Sequence, residues 1–461
     1  MAMQPKVTRP QIKANKSIRV SDLFRGPVRE FSIYNNVRMI PSVVDGFKPS
    51  QRKVIFGTLK KAPSIPDTGI KVAQLAAYIA ECSQYHHGEG SLAGAIAGMA
   101  QNFPGSNNLN YLKPIGQFGS RLSKEPGADR YIFTDLNGIF RKIFPREDDT
   151  ILEHLEEDGD QIEPIYYLPI LPNVLINGSD GMATGHATYI LQYNPEDLKR
   201  YILNKLKSKK QNIKLFPWFR GYKGKIERND STGQVTITGV MERVNSTQLR
   251  ITELPIGIWE DSYKEFLNGL EDKEIIKSYV NDSSTDSWDF RINVPRSIGY
   301  EDDEVLVKTF KLAARHTENF TVWLPNGKLK CFANAADLCD YFIDFRLTKY
   351  EDRRKAKLVE LDYELKERNE RLRFIRHYIA NAEKFSKKTR AEMSAMLLEV
   401  GFTLIDILLE IKIYNLTLDR IQMLEKQIEE TQKNIDYYQL STASSLYITD
   451  LEALDLSKEL S

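Results

Sequence analysis

The spacing of apolar and polar positions divides the chain into three parts, and the first part is predicted to be helical. From about Ser21 to Glu163, short helical patterns alternate with Gly, Pro and Asn residues, as in "KPSQRKVIFGTLKKA", "IKVAQLAAYIAECSQ" and "SLAGAIAGMAQNF". Three short helices with a basic first member are typical of a winged helix-turn-helix. The small residues of the third helix, from Ser91 to Gly98, favour core packing at most positions, or else a close approach to another surface.

The second part, from about Pro164 to Pro325, changes to the two-residue alternation of β-strands. The stretch "GQVTITGVMERVNSTQLRITELP" shows this alternation, and loops such as "NDSSTDSWD" separate the strands. Alternation of this kind predicts strands with one buried face. We therefore expect a separate α+β domain here.

The third part begins near Ala335, where Gly and Pro nearly disappear and charged helix formers replace them. Two series with alternating spacings of three and four residues flank the apolar segment "MLLEVGFTLIDILLEI". The members of the two series are Leu358, Leu361, Leu365, Arg368, Leu372 and Ile375, and then Ile421, Leu424, Ile428, Thr431, Ile435 and Tyr438. This spacing predicts a long antiparallel coiled coil that ends in a small helical tip. Apolar groups exposed at the tip would most simply bind the tip of a second copy.

Together these patterns predict a multidomain α+β protein. The expected divisions are an N-terminal arm at residues 1–24, a winged-helix domain at 25–163, an α+β domain at 164–334, and the coiled coil with its dimerising helical tip at 335–461. A chain of 461 residues with 41% hydrophobic content is too long for one compact core, and chains of this length split into smaller folded units.

Composition places the protein inside the cell and away from the membrane. Its three cysteines, Cys82, Cys331 and Cys339, form no CxxC pair and no metal-binding spacing, so we expect a reducing compartment. The basic N-terminus lacks the apolar segment of a signal peptide. The sequence contains no apolar run long enough to span a bilayer, and we expect no membrane association.

The net charge of +1 conceals a strong asymmetry along the chain. Residues 1–131 carry 18 Lys and Arg against 8 Asp and Glu, whereas the remainder is net negative. Concentrated positive charge of this kind is expected of a surface that neutralises nucleic-acid phosphates, although it also fits a solvated surface.

The sequence contains neither the common phosphate-binding loop nor a typical metal-binding motif. It lacks GxxxxGK[ST], and "GEGSLAG" has the wrong spacing and lies within a helical pattern. Asp158 and Asp160 are expected to belong to a solvated loop. The adjacent His86 and His87 lack the spacing of a helical chelating pair, so hydrogen bonding to phosphate or backbone is the better interpretation.

The candidate reactive group is Tyr131, which follows Arg130 in "GADRYIFTDLN". A phenol with a pKa near 10 loses its proton at neutral pH at a cost of about 4 kcal/mol, so a nucleophilic Tyr needs cationic help. Guanidinium groups can also stabilise the extra charge of a phosphoryl transition state. Taken alone, however, Tyr131 is better explained as one more half-buried aromatic residue, and only its neighbourhood favours a nucleophile.

Seven strings, in order along the chain, resemble the breakage and reunion part of type IIA DNA topoisomerases. They are "IPSVVDGFKPSQRKVIFGTLKK", "KVAQLAAYIAECSQYHHGEGSL", "AQNFPGSNNLN", "PIGQFGSR", "RYIFTDLN", "YLPILPNVLINGSDGMATG" and "LRITELPIGIWEDSYKEF". The resemblance extends from about Arg25 to the region near Tyr438. The strings are nearer to those of the eukaryotic enzymes, while the chain length resembles the medium subunit of the T4-type phage topoisomerase.

The resemblance implies a role for each matching residue. Tyr131 would be the nucleophile that joins a 5′ phosphate, with Arg130 as a transition-state stabiliser, and Arg52 and His87 would contact the scissile region. The DNA-contacting positions would be Lys48, Tyr85, Ser91, Met182, Trp259, Lys328 and Lys330. Lys53 and Arg121, which lie in the same basic segment as Tyr131, are also expected to bind DNA. The implied architecture is a winged helix, a tower domain in the second part, and a coiled coil that ends in a dimer gate.

The resemblance departs from the family pattern at Met182 in "GSDGMATG", where relatives usually have an isoleucine wedge between base pairs. Methionine is long and apolar enough to unstack a base step, although its flexibility would hold the bend less rigidly. We expect DNA bending to be retained.

The resemblance also implies parts that these residues do not include. ATP and Mg²⁺ would be bound by a separate ATPase and metal-binding subunit, in a holoenzyme of two A-type and two B-type chains, and no metal would be held by this chain. The homodimeric chain would act on double-stranded DNA, relaxing and decatenating it through 5′-phosphotyrosyl links. The expected location is the cytoplasm or nucleoid, or the host cytoplasm if a phage encodes the protein.

Two other functions compete with this hypothesis. A non-enzymatic winged-helix protein of DNA architecture fits the composition, the charge and the heptads equally well. A tyrosine recombinase would need a cluster of catalytic Arg and His residues around a C-terminal Tyr, and the sequence lacks that arrangement.

Overall fold

A computed structural model of the protein describes residues 19–229, 231–385 and 388–460. Most of the predicted N-terminal arm, residues 1–18, therefore lies outside the described residues. The described chain forms two compact units. One contains the residues up to Arg346 together with those from Asp450 onward, and the other is Leu347–Thr449.

The first part of the larger unit is mainly helical. Its elements are α1 (Val20–Leu23), a π-helical turn (Phe24–Val28), α2 (Arg29–Met39), α3 (Pro49–Lys61), β1 (Ile70–Lys71), α4 (Val72–Cys82), α5 (Glu89–Ala100), β2 (Phe133–Thr134), α6 (Ile139–Ile143), β3 (His154–Glu157) and β4 (Asp160–Pro164). Strand β1 pairs antiparallel with β2, and β3 pairs antiparallel with β4. Asp158 lies in the turn of the β3–β4 hairpin, so the predicted solvated loop is the exposed turn of a hairpin.

Helices α3, α4 and α5 pack together, as the apolar spacing predicts. Each buries one face, with Val54, Leu75 and Leu92 fully enclosed. Gly57 allows the close approach of α3 to α4, because a Cβ at this position would lie 2.6 Å from the Ile79 side chain. Helix α3 begins at Pro49, and proline is favoured at this position because the first turn of a helix does not need its N–H.

The second part of this unit is built around short antiparallel sheets. Its elements are α7 (Asn173–Ile176), β5 (Ser179–Met182), β6 (Ala187–Ile190), α8 (Pro195–Leu206), β7 (Lys225–Arg228), β8 (Val235–Thr238), β9 (Val240–Asn245), β10 (Gln248–Glu253), α9 (Glu260–Glu271), β11 (Ser278–Asn281), β12 (Phe290–Asn293), α10 (Arg296–Gly299), α11 (Asp303–Thr309), β13 (Ala313–His316), β14 (Phe320–Trp323) and β15 (Leu329–Phe332).

Two larger sheets have the strand orders β11-β12-β10-β9 and β13-β8-β7, and β5–β6 and β14–β15 are hairpins. Strand β10 alternates strictly between half-buried and buried residues, which explains its clear sequence signal. Its buried residues pack with α9 around Tyr263 and Phe290.

The last part is dominated by long helices. Its elements are α12 (Ala335–Phe385), α13 (Arg390–Glu399), α14 (Ile405–Leu409), α15 (Leu418–Leu440), α16 (Ala443–Ala453) and α17 (Ser457–Leu460). Within the smaller unit α12 and α15 run antiparallel: Arg354 donates to the Tyr438 carbonyl (3.3 Å), whereas Arg368, farther along α12, donates to the earlier Gln427 carbonyl (2.9 Å).

Every predicted heptad position is buried or half-buried. The two polar members of the series, Arg368 and Thr431, hydrogen-bond to each other, so the breaks in the two apolar seams coincide. The intervening apolar segment forms its own core around Phe374, Phe385 and Phe402.

The mixed α and β content and the predicted strands are confirmed, while the winged-helix, tower and coiled-coil assignments stay predictions. The unit division differs from the expected one. Residues 25–163 and 164–334 lie within one compact unit, and the second unit begins at Leu347, inside α12. A helix can cross from one unit to the next because its own hydrogen bonds do not depend on tertiary packing.

Candidate functional site

The turn that carries Tyr131 combines a fixed backbone with an exposed side chain. The Tyr131 N–H donates to the Ala128 carbonyl (2.9 Å), and the turn also accepts from the first residues of α4, since Val72 N donates to Ile132 O (3.0 Å) and Ala73 N to Asp129 O (3.1 Å). The Tyr131 side chain is 70% exposed. Its phenolic oxygen is therefore available to a large substrate while its backbone position is held.

Arg130 lies beside this phenol. Its Cζ is 5.1 Å from the centroid of the Tyr131 ring, and the residue is exposed. A guanidinium ion carries five N–H donors in a planar arrangement that suits phosphate oxygens. The pair can therefore present a nucleophile and a cation to the same phosphate group.

The structure places Arg52 in the interior, at only 5% exposure. Its Nε donates to Asp45 Oδ2 (2.7 Å), and its Nη2 donates to Asp45 Oδ1 (3.1 Å) and to the Phe47 carbonyl (3.2 Å). Burial alone would lower the pKa of Arg52, but the paired Asp45 carboxylate raises it overall. Direct contact between Arg52 and DNA, as the resemblance implies, is not available in this conformation because its donors are engaged inside the protein.

Lys53 is also engaged internally. Its Nζ donates to the Ser83 carbonyl and to Glu163 (2.9 Å), and its side chain is 14% exposed. This ion pair joins α3 to the end of β4. The predicted DNA contact through Lys53 is therefore not supported, since the ammonium group faces a carboxylate rather than the surface.

Arg121 differs most from its predicted role. It is 4% exposed, and its guanidinium donates to the carbonyls of Leu254 (2.6 Å), Pro255 (3.0 Å) and Ile258 (3.0 Å). Glu253 lies 3.4 Å from Arg121 Nη2. Burial lowers the pKa of Arg121. The residue ties the segment before Tyr131 to the loop between β10 and α9, so it supports the site from within and does not face DNA here.

Tyr85 and His87 form a small cluster at the far end of α4. Their rings meet edge to face at 5.3 Å, and the His87 Nε2 is hydrogen-bonded to the hydroxyl of Tyr34 on α2. Tyr131 lies near the first residue of α4 and this cluster lies beyond its last. Because α4 has 11 residues, its two ends are about 15 Å apart at 1.5 Å per residue. Within one chain, the phenol and the His87 cluster therefore occupy opposite ends of the helix.

Lys48 and Met182 are brought together by the β5–β6 hairpin. The Lys48 Nζ donates to the carbonyl of Asp180 (2.6 Å), two residues before Met182. Burial lowers the pKa of Lys48, and the nearby Asp180 opposes this change. Met182 ends β5 opposite Ala187 and is 81% exposed, as a side chain that inserts into DNA must be.

The remaining predicted contacts vary in exposure. Ser91 is exposed in the first turn of α5, and Lys328 and Lys330 are exposed beside and on β15. The Lys330 Nζ lies 4.4 Å from the centre of the Phe332 ring. Trp259 is half-buried at the start of α9 and meets Phe103 edge to face at 6.0 Å. Ser91 and the two lysines are available to a nucleic acid.

Among residues 19–229, 231–385 and 388–460, no group of three or more His, Cys, Asp or Glu side chains is placed to hold a metal ion. The Mg²⁺ implied by the resemblance has no ligand set there, and the source of the metal stays a prediction. Within the same residues, no helix is long and apolar enough to cross a membrane.

Comparison with known proteins matches these elements to one family. The family model for DNA gyrase/topoisomerase IV, specifically for the A-type chain of those enzymes, matches residues 38–456, which is most of the chain. The chain belongs to this family.

Relatives of this topoisomerase chain include DNA topoisomerase 2 of Plasmodium falciparum, which is 34% identical over 95% of this chain and 34% of the relative. DNA topoisomerase 2 of Arabidopsis thaliana is 38% identical over 87% of this chain and 27% of the relative. The chain thus spans about a third of the length of these relatives. They are eukaryotic and give no support to a phage origin.

A solved structure shares the fold of this topoisomerase chain. It is the DNA-binding, cleavage and re-ligation domain of Plasmodium falciparum topoisomerase II, with a TM-score of 0.87 and 35% identity over 94% of this chain and 63% of the matched chain. The likeness covers both the helical and the β-rich parts described above.

Two residues of the candidate site, Asp45 and Tyr34, were not singled out from the sequence. Asp45 is fully buried and accepts hydrogen bonds from Arg52 and from the Tyr167 N–H (3.0 Å). Its position in "SVVDGFKP", directly after apolar residues and seven residues before Arg52, is a signal that could have indicated the pair. Tyr34 and its neighbours in α2 give no comparable signal, because their partners are distant in the sequence.

Proposed function

We propose that this chain is the DNA-cleaving and rejoining part of a type IIA DNA topoisomerase, which relaxes and decatenates DNA. The observation that carries the proposal is the exposed Tyr131, held on a hydrogen-bonded turn beside Arg130. Membership of the topoisomerase family and the likeness to a cleavage and re-ligation domain support it. A merely packed tyrosine requires neither the exposure nor the adjacent cation.

In the proposed reaction the Tyr131 oxygen attacks a backbone phosphorus of DNA. A bond forms between that oxygen and phosphorus as the bond from phosphorus to the 3′ oxygen breaks; the phenol loses its proton and the 3′ oxygen gains one. Arg130 stabilises the negative charge that develops on the phosphoryl oxygens. Because one phosphate ester replaces another, attack by the 3′ hydroxyl reverses the step and reseals the strand.

The proposed function also requires a divalent metal and ATP. A divalent metal, when bound, would polarise the phosphoryl oxygen at Tyr131. We propose that both functions are supplied in trans by an ATPase and metal-binding polypeptide, in an assembly with two copies of each chain. The eukaryotic relatives, which extend well beyond the matched segment, do not support a separate subunit, so this arrangement depends on the experiment below.

The test is to trap protein-linked DNA with denaturant, with and without an added topoisomerase ATPase and metal-binding polypeptide. We expect wild type to give linked DNA efficiently only with the addition, and Tyr131→Phe to give none while still binding DNA. Tyr300→Phe is a matched control, since Tyr300 is 71% exposed and lies elsewhere in the unit. Linked DNA with Tyr131→Phe would refute the nucleophile; efficient relaxation by the chain alone would refute the separate subunit.

We also propose that the chain dimerises through the smaller unit. Its exposed apolar side chains include Leu398 (62%), Tyr414 (70%) and Leu418 (69%), and exposed apolar groups of this size favour an interface. A homodimer would place one tyrosine on each strand of a duplex, as a double-strand break requires. The proposed reaction therefore requires a dimer, because each of the two DNA strands needs its own tyrosine.

Sedimentation of an interface variant tests the dimer. Leu418→Asp should shift the protein toward monomer, whereas Leu440→Asp, at a residue 86% exposed near the other end of α15, should not. A charge at Leu408, between α13 and α15 in the chain, would not test the interface. Leu408 is buried in the apolar core of the unit, and a charge there would disturb folding. A dimer that survives Leu418→Asp unchanged would place the interface elsewhere.

A further inference from the structure

Helix α2 contacts the tip of the β5–β6 hairpin through two consecutive asparagines. Asn35 Oδ1 accepts hydrogen bonds from the Thr184 N–H (2.8 Å) and the Thr184 hydroxyl (3.1 Å). Asn36 Nδ2 donates to the Thr184 carbonyl (3.0 Å) and to the Ser32 carbonyl of its own helix (2.7 Å). Both sides of the Thr184 backbone are thus held by α2, although nearly 150 residues separate the partners in the chain.

The strand that carries Met182 also lies directly against the end of α2. A Cβ at Gly181 would stand 2.2 Å from the Met39 carbonyl oxygen, so only glycine permits this approach. Within the hairpin turn itself, Ala183 N donates to His186 O (2.9 Å). The two asparagines therefore add three hydrogen bonds to a short turn whose preceding residue, Met182, is 81% exposed.

A wedge needs this kind of support. Unstacking a base step costs a few kcal/mol, so the DNA tends to restack and to displace the inserted side chain. Methionine has three rotatable bonds and yields easily, so the backbone beneath it must not move as well. A hairpin of two four-residue strands is weak by itself, because short isolated strand pairs are marginally stable.

We propose that Asn35 and Asn36 are positioning residues for DNA bending: they fix the hairpin tip to α2 so that Met182 can hold a base step open. This inference rests on the proposed function and on the wedge role that the family resemblance implies for Met182. Neither asparagine needs to touch DNA for this role. The first acts only as an acceptor toward Thr184 and the second only as a donor.

The opposite hydrogen-bonding roles give a sharp test with isosteric variants. Asn35→Asp keeps the accepting oxygen, whereas Asn36→Asp replaces the donating NH₂ by a second acceptor that faces the Thr184 carbonyl. Both variants add the same negative charge at neighbouring positions. Repulsion of DNA alone would weaken bending in both variants, and thermal unfolding separates the cost of a charge at the buried Asn36 position from the loss of its hydrogen bond.

The measurement is the FRET efficiency of an end-labelled duplex of about 30 base pairs, on which a bend is readily resolved, with each variant of the full chain at saturating concentration. We expect Asn35→Asp to bend DNA like wild type, and Asn35→Ala and Asn36→Asp to lose bending as Met182→Ala does. Thermal unfolding of each variant shows whether the fold is retained. Asn36 is buried, so the Asn36→Asp variant could fail to fold. In that case the comparison of Asn35→Asp with Asn35→Ala tests the positioning role.

The outcomes separate this inference from the function beneath it. If Met182→Ala abolishes bending and Asn35→Ala leaves it unchanged, the positioning role is refuted while the wedge stands. If Asn35→Asp loses bending as fully as Asn35→Ala, the acceptor role is refuted. If Met182→Ala bends DNA like wild type, the proposed wedge itself is wrong, whatever the asparagines do.

Discussion

The turn at Tyr131 and the pair formed by Arg52 and Asp45 use similar residues in opposite ways. At the turn, the backbone is hydrogen-bonded and the side chains of Arg130 and Tyr131 are exposed. In the pair, the Arg52 guanidinium is buried and donates to groups within the protein. The sequence resemblance assigned both arginines to the scissile region, and only Arg130 is exposed where it could reach a phosphate.

The difference shows that a basic segment does not translate directly into a basic surface. Arg52, Lys53 and Arg121 lie in the same positive part of the chain as Arg130, yet each is paired with a carboxylate or with backbone carbonyls. A charge that is paired in the interior contributes little to the attraction of phosphates at a distance. The positive charge at the surface of this segment is thus smaller than the count of Lys and Arg suggests.

We expect the greatest change when Arg52, the buried partner of Asp45, is replaced. Arg52→Met should lower the free energy of unfolding by about 3–5 kcal/mol, because the fully buried Asp45 carboxylate would be left without its cation. Urea unfolding measures the loss. The matched exposed variant, Arg130→Met, should change stability little, and equal losses in the two would mean that burial does not distinguish these arginines.

The exposed arginine should show the reverse behaviour. Arg130→Ala should slow DNA cleavage by about 10²–10³-fold, as expected when one group that stabilises a transition state is lost, while unfolding stays near wild type. Single-turnover cleavage with the complete assembly gives the rate. A cleavage rate that Arg130→Ala leaves unchanged would remove Arg130 from the chemistry and leave Tyr131 without its nearest cation.

We expect the smallest effect at His316, a half-buried residue outside the basic segment. A variant of this residue tests whether burial also suppresses protonation there. Burial lowers the pKa of His316, whose Nδ1 is hydrogen-bonded to the Tyr189 hydroxyl (2.7 Å). The unfolded chain therefore takes up this proton first, and stability is lost as the pH falls from the ordinary histidine range through the lowered folded pKa.

His316→Gln keeps an acceptor for Tyr189 but has no proton to gain. Between pH 7.5 and 5.5 we expect wild type to lose more stability than this variant, by an amount on the order of 1 kcal/mol or less. Melting temperatures across this range provide the measurement. Parallel pH curves for the two proteins would show that His316 does not contribute to the pH dependence of folding.

Much of the secondary structure could be predicted from the sequence, because the periodicity of a helix or strand is set by residues that are close together in the chain. Strand β10 and its hairpin partner β9 lie within the alternating stretch, and the heptad series lie on α12 and α15 with none of their members exposed. Periodicity of side chains reports which face is covered. It does not report which distant residue covers it, and for this reason the burial of Arg121 against Leu254 and Ile258 was not foreseen.

The amino-acid pattern was enough to predict the alternation of helix and strand, the two heptad series, and the ordered motifs that contain Tyr131 and Arg130. The exposure of each cation and the contact between α2 and Thr184 became known only from the folded chain. The physical reason is that secondary structure follows from periodic burial along a segment, whereas the availability of a donor depends on every group that surrounds it in space.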